Sequence, residues 1–282
     1  FTGETITLPA DQLIRDLQKK ASWIADHIRK TEWLKEGFFN GYYDDTRQRV
    51  EGTINGSTRM TLTGQTFPIM SGIASPDQII ETFTNAKTFL QDKKLGGFRL
   101  NTDFKSEQHA FGRAFSFAYG EKENGAFFSH MCVMFSYALY TKGFARQGYE
   151  VINSLYRLAL NTQRSEIYPC LPEYFNNEGR GMYSYLTGSA SWYILTALTQ
   201  MFGIRGEYGD LVFEPKLTLQ QFGKDRGIAI HCTFAGRRIA VSYTNEKRKE
   251  YPDYAIRTVR INNKLVAGNL ASKRFVISRQ EF

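Results

Sequence analysis

The spacing of apolar residues changes abruptly at Gly206, and this change divides the chain into a helical part and a β part. Before Gly206, apolar side chains recur every three or four residues, which is the period of an amphipathic helix. After Gly206 they alternate, which is typical of half-buried strands. The spacing therefore predicts a helical domain over residues 1–206 and an antiparallel β domain over residues 207–282.

Six segments of the first part have a helical pattern: 9–30, 60–73, 76–90, 125–142, 145–160 and 188–203. Segment 125–142 is apolar on nearly all sides, so we expect it to be buried all round. Short turns join the helices into three αα-hairpins, with long loops on one side. Alternating buried and outer helices of this kind build toroidal α/α barrels. The prediction is a mostly α fold that forms half of an (α/α)6 barrel.

The second part predicts a small antiparallel β domain. Turn signals at Gly236-Arg237 and Asn262-Asn263 separate its alternating runs. The predicted strands are 211–214, 228–234, 238–243, 256–261 and 275–278.

The composition favours an anionic ligand but not nucleic acid. The 282 residues carry a formal net charge of +8. Lysines and arginines are scattered, and their only tight cluster, 245–250, is flanked by acids like the tip of a hairpin. We therefore expect no nucleic-acid partner.

Three cysteines, Cys132, Cys170 and Cys232, lie too far apart for a CxxC metal motif and are odd in number. They favour a reducing, cytoplasmic compartment without a metal site. No apolar run is long enough to cross a membrane, so no membrane partner is expected. The chain begins at Phe1 rather than Met, and we expect it to be part of a longer polypeptide.

Thr187, Gly188 and Ser189 open the helix 188–203. Small residues at a helix start leave backbone N–H groups free, at the positive end of the helix dipole. This arrangement can bind an anion, or it can be an ordinary N-terminal cap. Both interpretations stay open on the residues alone.

Four ordered motifs resemble glycoside hydrolase family 94 and its sister families, the inverting β-glucan and disaccharide phosphorylases. The resemblance covers most of residues 33–217. The motifs are Asn40-Gly-Tyr-Tyr-Asp-Asp45, Lys122-Glu-Asn-Gly-Ala-Phe-Phe-Ser-His130, Leu186-Thr-Gly-Ser-Ala-Ser-Trp192 and Gly209-Asp-Leu-Val-Phe-Glu-Pro-Lys216. Gln65, between the first two motifs, belongs to the same ordered set. In that family a β-linked glucoside is cleaved by inorganic phosphate, with no other cofactor. The resemblance makes this chain the second half of the barrel.

The resemblance also implies roles for individual residues. His130, Thr187 and Gly188 look like the phosphate-binding residues. Lys122 and Glu123 would lie near the sugar at the cleaved bond. Glu173 and Gln65 are further substrate contacts by the same resemblance.

Two departures from the family pattern concern substrate and catalysis. Ala126 occupies a position where family members often have a second glycine, and Phe128-Ser129 occupies the place of Tyr-Thr. These differences point to a branch of the family that acts on oligoglucans. The family's general acid lies in an Asp-Trp-Asn-Asp type of segment, and none of the tryptophans here has that context. We expect this acid upstream of Phe1, so that this chain alone is inactive and a missing N-terminal part or a partner chain completes the cleft. The family commonly forms dimers.

Each site residue also has a plainer interpretation. His130 can be a hydrogen-bonded core histidine, Lys122-Glu123 a solvated pair and Glu173 a turn residue. The acidic pair Asp44-Asp45 is ordinary turn chemistry, and we favour that interpretation over a catalytic carboxylate.

Two other functions remain open. The first is an inverting glycoside hydrolase that activates water with Glu123, Asp44 or Glu173. The second is a non-catalytic carbohydrate-binding module, because a fold alone does not fix an activity.

Overall fold

The computed structural model describes residues 3–105, 108–168, 170–184 and 187–281. Its helices are α1 (Ala10–Thr31), α2 (Leu62–Ser71), α3 (Pro76–Phe89), α4 (Ser129–Thr141), α5 (Ala145–Leu160), the single turn α6 (Thr162–Ser165) and α7 (Ser189–Thr196). Its strands are β1 (Gly52–Ile54), β2 (Ser57–Arg59), β3 (Phe127–Phe128), β4 (Tyr174–Phe175), β5 (Gly181–Met182), β6 (Ile204–Glu207), β7 (Asp210–Phe213), β8 (Gly227–Phe234), β9 (Arg237–Thr244), β10 (Val259–Ile261), β11 (Lys264–Ala267) and β12 (Phe275–Ile277).

Local signals placed most of the helices correctly. Ser75 caps α3 and forms a reciprocal capping box with Gln78, and Pro76 occupies the first helical position. The predicted bounds of α5 are the observed ones. Helix α4 begins four residues later than predicted, at Ser129, because Phe127 and Phe128 pair with β4 instead of entering the helix.

Helix α4 is the centre of the molecule. It packs against α2, α5 and α7. Val133, Phe135, Ala138 and Leu139 are completely buried in one core shared by the helices and by residues of the β part. The prediction that this helix is buried on nearly all sides is confirmed.

Two helices expose apolar residues that the sequence pattern assigned to buried faces. Helix α1 has no buried residue and touches the core through Ile28, while Arg29 donates to the carbonyl oxygens of Gly72 and Ile73. On α7 the spacing of apolar residues predicts one buried face with Ile194, Ala197, Leu198 and Met201; Met201 is buried, but the prediction for Ile194 was wrong, because its side chain is 59% exposed. Helix α7 meets α4 through Trp192, whose ring lies 5.4 Å from that of Tyr137.

All strand pairs are antiparallel, as predicted for the β part, but they form several small sheets. In that part the sheets are β12-β7-β6, β8-β9 and β10-β11. Strand β6 begins at Ile204 and so crosses the expected domain boundary. Tyr243 of β9 donates a hydrogen bond of 2.6 Å to the carbonyl oxygen of Phe202, which ties the β part to the end of the α7 segment.

The described residues combine seven helices with several small antiparallel sheets, which agrees with the predicted order of a helical part followed by a β part. The closed (α/α)6 barrel, and the place of these helices in its second half, stay predictions. None of the helices in the described part of the chain has the length and apolarity needed to cross a bilayer.

Gly203 is required where the α7 segment turns into β6. Its φ is +66°, and a Cβ there would lie 2.0 Å from the carbonyl oxygen of Glu214. We expect Gly203→Ala to lower the free energy of unfolding by roughly 3 kcal/mol or more, because the backbone of Glu214 must move. Denaturant titration measures the change.

Gly236→Ala is the matched control for this substitution. Gly236 also has a positive φ, +77°, but a Cβ there meets nothing within 4 Å. We expect Gly236→Ala to lower the free energy of unfolding by only about 1 kcal/mol, which is the cost of holding an alanine at a positive φ. Equal losses in the two variants would contradict the steric explanation.

Candidate functional site

A three-stranded sheet, β3-β4-β5, gathers the loops that carry the predicted site. The backbone N–H of Ser129 donates to the carbonyl oxygen of Glu173 at 2.9 Å. The N–H of Glu173 donates in turn to the carbonyl oxygens of Met182 and Tyr183. The start of α4, the loop before β4 and the loop after β5 therefore lie side by side.

His130 is the second residue of α4, and its ring lies against the backbone of Gly188. A Cβ on Gly188 would be 2.9 Å from Cε1 of the imidazole, so glycine permits this approach. The ring of Trp192, one turn into α7, is 5.7 Å from the imidazole. The structure thus brings together His130 and Gly188, which lie far apart in the sequence.

The electrostatic state of His130 follows from its burial. Burial lowers the pKa of the imidazole, so the neutral ring is favoured. Nε2 is buried and has no hydrogen-bond partner among the described residues. A buried polar atom without a partner is costly, and an absent ligand is one of its ordinary explanations.

Thr187 and Ser189 form a bonded turn at the start of α7. The Thr187 hydroxyl donates to Oγ of Ser189 at 3.1 Å and accepts the N–H of Ser189 at 3.2 Å. Ser189 Oγ donates to the carbonyl oxygen of Pro172. The backbone N–H groups of the first turn of α7 thus lie beside the imidazole of His130, at the positive end of the helix dipole.

Lys122 and Glu123 lie at the edge of the same group. The Lys122 ammonium stands over the rings of Phe117 and Tyr183, at 5.2 and 5.0 Å from their centroids. Oε1 of Glu123 is 2.7 Å from Nη1 of Arg113, and Oε2 is buried without a partner among the described residues. Neither residue is a plain solvated loop charge.

Glu173 is half-buried and joins the group through its backbone. Its position between Ser129 and Tyr183 explains why the loop before β4 lies beside the start of α4. The sheet, rather than a turn signal beside Pro172, fixes its place.

Gln65 lies apart from these residues, in the scaffold. Its side chain is 0% exposed. The amide accepts from the N–H of Phe39 and donates to the carbonyl oxygens of Phe39 and Thr61. We therefore correct its expected role as a substrate contact, since both amide atoms are occupied by protein groups.

Asp44 forms the turn that the sequence favours. One carboxylate oxygen accepts from the N–H and hydroxyl of Thr46 and from the N–H of Gln48. These hydrogen bonds, with Gln48 as the largest cause, lower the pKa of Asp44. A carboxylate with a lowered pKa is poorly suited to take up a proton as a general base near neutral pH.

Glu51, which the sequence analysis missed, is a buried carboxyl beneath the Asn40–Asp45 motif. It accepts from the N–H of Gly41 at 2.5 Å, the N–H of Thr61 at 2.6 Å and the amide of Gln65 at 3.2 Å. Burial raises its pKa to about 7, although these donors oppose the shift. Glu51 directly precedes the hairpin of β1 and β2. The Asn55-Gly56 pair, a typical hairpin turn, was the available sequence signal that the chain folds back on itself here.

Arg113, Tyr183 and Trp192 are the other contacts that sequence reasoning did not single out. Trp192 closes the Leu186–Trp192 motif without a role having been assigned to it, and Arg113 and Tyr183 lie outside the motifs; each acts through a partner elsewhere in the chain. Within the described residues, no group of three or more His, Cys, Asp or Glu side chains is placed to hold a metal ion.

Comparison with known proteins decides the family. Residues 9–203 match the catalytic domain of the glycosyl hydrolase 94 superfamily. The chain belongs to this superfamily. The match includes both helices that bear His130 and Gly188, so the resemblance seen in the motifs is confirmed.

Three characterised relatives show what this glycosyl hydrolase 94 chain is similar to. It is 25% identical to the cellobionic acid phosphorylase of Neurospora crassa over 202 residues, 66% of this chain and 25% of the relative. It is 25% identical to the 3-O-β-D-glucopyranosyl-β-D-glucuronide phosphorylase of Paenibacillus borealis, over 71% of this chain and 27% of the relative.

The third is the cyclic β-(1,2)-glucan synthase NdvB of Rhizobium meliloti, 22% identical over 83% of this chain and 9% of the relative. The chain thus spans about a quarter of the length of the two phosphorylases.

Titration of Glu51 predicts a pH dependence of stability. Its carboxyl ionises near 4.5 when unfolded and near 7 when folded, so the folded state holds the proton more tightly. We expect the contribution of Glu51 to the free energy of unfolding to be full below pH 4.5. It should then fall by about 3 kcal/mol as the pH rises to about 7.

Denaturant titrations between pH 4.5 and 8 test this, because Glu51→Gln should lack that part of the slope. In Asp44→Asn the slope within this window should be unchanged, since the lowered pKa of Asp44 lies below it. Identical slopes for wild type and Glu51→Gln would refute the assignment.

Proposed function

We propose that this chain supplies the phosphate-binding side of a β-glucoside phosphorylase. Inorganic phosphate attacks the anomeric carbon, the glycosidic C–O bond breaks, and the product is α-glucose 1-phosphate with inverted configuration. The observation that carries the proposal is the buried, unpartnered Nε2 of His130 against Gly188, beside the start of α7.

The chemistry of these groups suits phosphate. An imidazole, the hydroxyl of Thr187 and the N–H groups of a helix start are donors that bind phosphate well. Phosphate replaces both the water and the base of an inverting hydrolase, so only one general acid is required. We propose that an aspartic acid from a segment preceding this chain protonates the leaving oxygen, and that Lys122 and Glu123 contact the glucosyl unit.

For the substrate we propose a β-1,2- or β-1,3-linked gluco-oligosaccharide. The departures at Ala126 and Phe128-Ser129 support this class, and NdvB is a β-(1,2)-glucan enzyme by its name. An inverting hydrolase is less well supported, because Asp44 has a lowered pKa and Glu123 is paired with Arg113.

A second candidate is a glucoside whose leaving sugar carries a carboxylate. Both phosphorylase relatives are named for acidic sugars. The Arg113 side chain is 70% exposed beside Glu123, where a guanidinium can bind a carboxylate.

Release of glucose 1-phosphate, with and without inorganic phosphate, tests the reaction. It is assayed on β-1,2- and β-1,3-gluco-oligosaccharides and on glucosyl-glucuronate, with this chain and with the longer polypeptide that contains it. The proposal expects product only with phosphate and only from the longer polypeptide. Sugar release without phosphate would establish a hydrolase instead, and sugar binding without any release would establish a binding module.

His130→Ala in the longer polypeptide should raise the KM for phosphate much more than the KM for the glucoside. The reason is that the imidazole contacts the anion and not the sugar. Initial rates measured against each substrate separate the two constants. Equal effects on both would exclude the assigned role.

Thr187→Val removes one hydroxyl at nearly constant volume. We expect a loss of about 1–3 kcal/mol in phosphate-dependent transition-state binding, obtained from kcat/KM for phosphate. Ser191→Ala is the matched control, since the Ser191 hydroxyl is also hydrogen-bonded at the start of α7, to the carbonyl oxygen of Gly188, and has no proposed contact with phosphate. If Thr187→Val behaves like Ser191→Ala, Thr187 is only a cap.

A further inference from the structure

Lys216 is a buried lysine that joins the far ends of the two site helices. Its side chain is 6% exposed. Nζ donates to the carbonyl oxygen of Tyr140 at 3.0 Å and to Oε1 of Gln200 at 3.2 Å. Its backbone N–H donates to the carbonyl oxygen of Met201. Burying an ammonium is unfavourable unless such acceptors compensate.

Helices α4 and α7 lie side by side and run in the same direction. At one end the ring of His130 meets Gly188 and Trp192. Further along, the rings of Tyr137 and Trp192 are 5.4 Å apart. At the other end Lys216 connects Tyr140, in the last turn of α4, with Gln200 beyond α7. Tyr140 lies ten residues beyond His130, about 15 Å along a helix.

A π-helical turn, Ala197–Met201, brings Gln200 to this lysine. The N–H of Phe202 bonds to the carbonyl oxygen of Ala197, five residues earlier. A π-turn shifts the residues that follow it relative to a regular α-helix, and such turns are frequent near functional sites. The acceptor on Tyr140 is one of the last carbonyl groups of α4, where the helix dipole favours a cation.

We propose that Lys216 is a positioning residue for the phosphate site: by bridging Tyr140 and Gln200 it fixes α7 against α4, and so sets the distance between His130 and the Thr187-Gly188 turn. This rests on the proposed function for its kinetic test. Lys216 itself touches no substrate, because it lies a helix length from His130.

The arrangement explains why a lysine, rather than an apolar residue, occupies this core position. A methionine would fill similar space but leave Gln200 Oε1 without its donor. A single ammonium reaches two acceptors on different helices, so it constrains their relative position along the axis. Misplacement of a binding group by about 1 Å can cost up to a hundredfold in rate, so a small slide of α7 matters.

Lys216→Met in the longer polypeptide should raise the KM for phosphate by about tenfold and change the KM for the glucoside by less than about twofold. Lys216→Met combined with Gln200→Leu removes the unpaired acceptor as well. The double variant should regain thermal stability and keep the raised KM for phosphate. Recovery of the KM in the double variant, or no change in the single variant, would overturn the proposal.

Ile79→Ala is the control for lost stability alone. Ile79 is buried in α3, outside both site helices, and its truncation should lower the Tm without changing the KM for phosphate. A raised KM for phosphate in Ile79→Ala would show that general destabilisation explains the effect, and would overturn the assignment.

A second measurement needs no turnover. With the Trp192 ring 5.7 Å away, the NMR signals of the His130 imidazole should carry a ring-current shift, and Lys216→Met should reduce that shift in both the single and the double variant. If the wild type releases no glucose 1-phosphate with phosphate, the proposed reaction fails, and the His130 signals alone decide the role of Lys216. Unchanged His130 signals in both variants would overturn it.

Discussion

The close approach of the His130 ring to the Gly188 backbone is the contact on which the site depends. It exists because residue 188 has no side chain, since any Cβ there would overlap the imidazole. The contact makes the starts of α4 and α7 neighbours, and helix starts are where free N–H donors and positive dipole ends lie. The sheet β3-β4-β5 then adds the loops of Glu173 and Tyr183 to the same place through backbone hydrogen bonds alone. Because this geometry rests on glycine and backbone, it leaves Nε2 of His130 without a partner among the described residues.

Local physics made part of this structure predictable from sequence. Ser75, Pro76 and Gln78 specify the start of α3 by themselves, and Gly143 separates α4 from α5 without tertiary information. The two-residue strands were not predictable, because Phe127-Phe128 acquires its strand conformation only by pairing with residues almost fifty positions away. The family motifs group His130 with Thr187 and Gly188, and the structure brings His130 against Gly188, since a motif carries long-range information that periodicity lacks. Gln65 was misassigned because a motif records position and not whether an amide is already hydrogen-bonded.

The exposure of Ile194 on α7 has a physical explanation of its own. Periodicity places Ile194, Ala197, Leu198 and Met201 on one face, and Met201 is buried as expected, but Ile194 is exposed. The buried positions are Ser189, Thr196, Gln200 and Met201, and three of these are polar. A polar residue can face a core when its partner is supplied, as Lys216 supplies one for Gln200. The choice of face therefore depends on a residue outside the helix, which no analysis of the helix alone can include.

In the described part of the chain, buried polar atoms without partners are concentrated near the start of α4. Among the described residues, Oε2 of Glu123, Oγ of Ser129 and Nε2 of His130 are all buried and unpaired within eight positions of the chain. Buried polar groups are normally satisfied, because each unsatisfied one costs about 1–3 kcal/mol. By contrast the buried Lys216 has both of its acceptors in place. Thr82, Tyr140 and Arg205 also carry a buried atom without a partner among the described residues, so an unpaired atom alone does not mark a site. The group of Glu123, Ser129 and His130 differs because its three atoms are close together in the chain, near the start of α4, where the imidazole meets the backbone of Gly188.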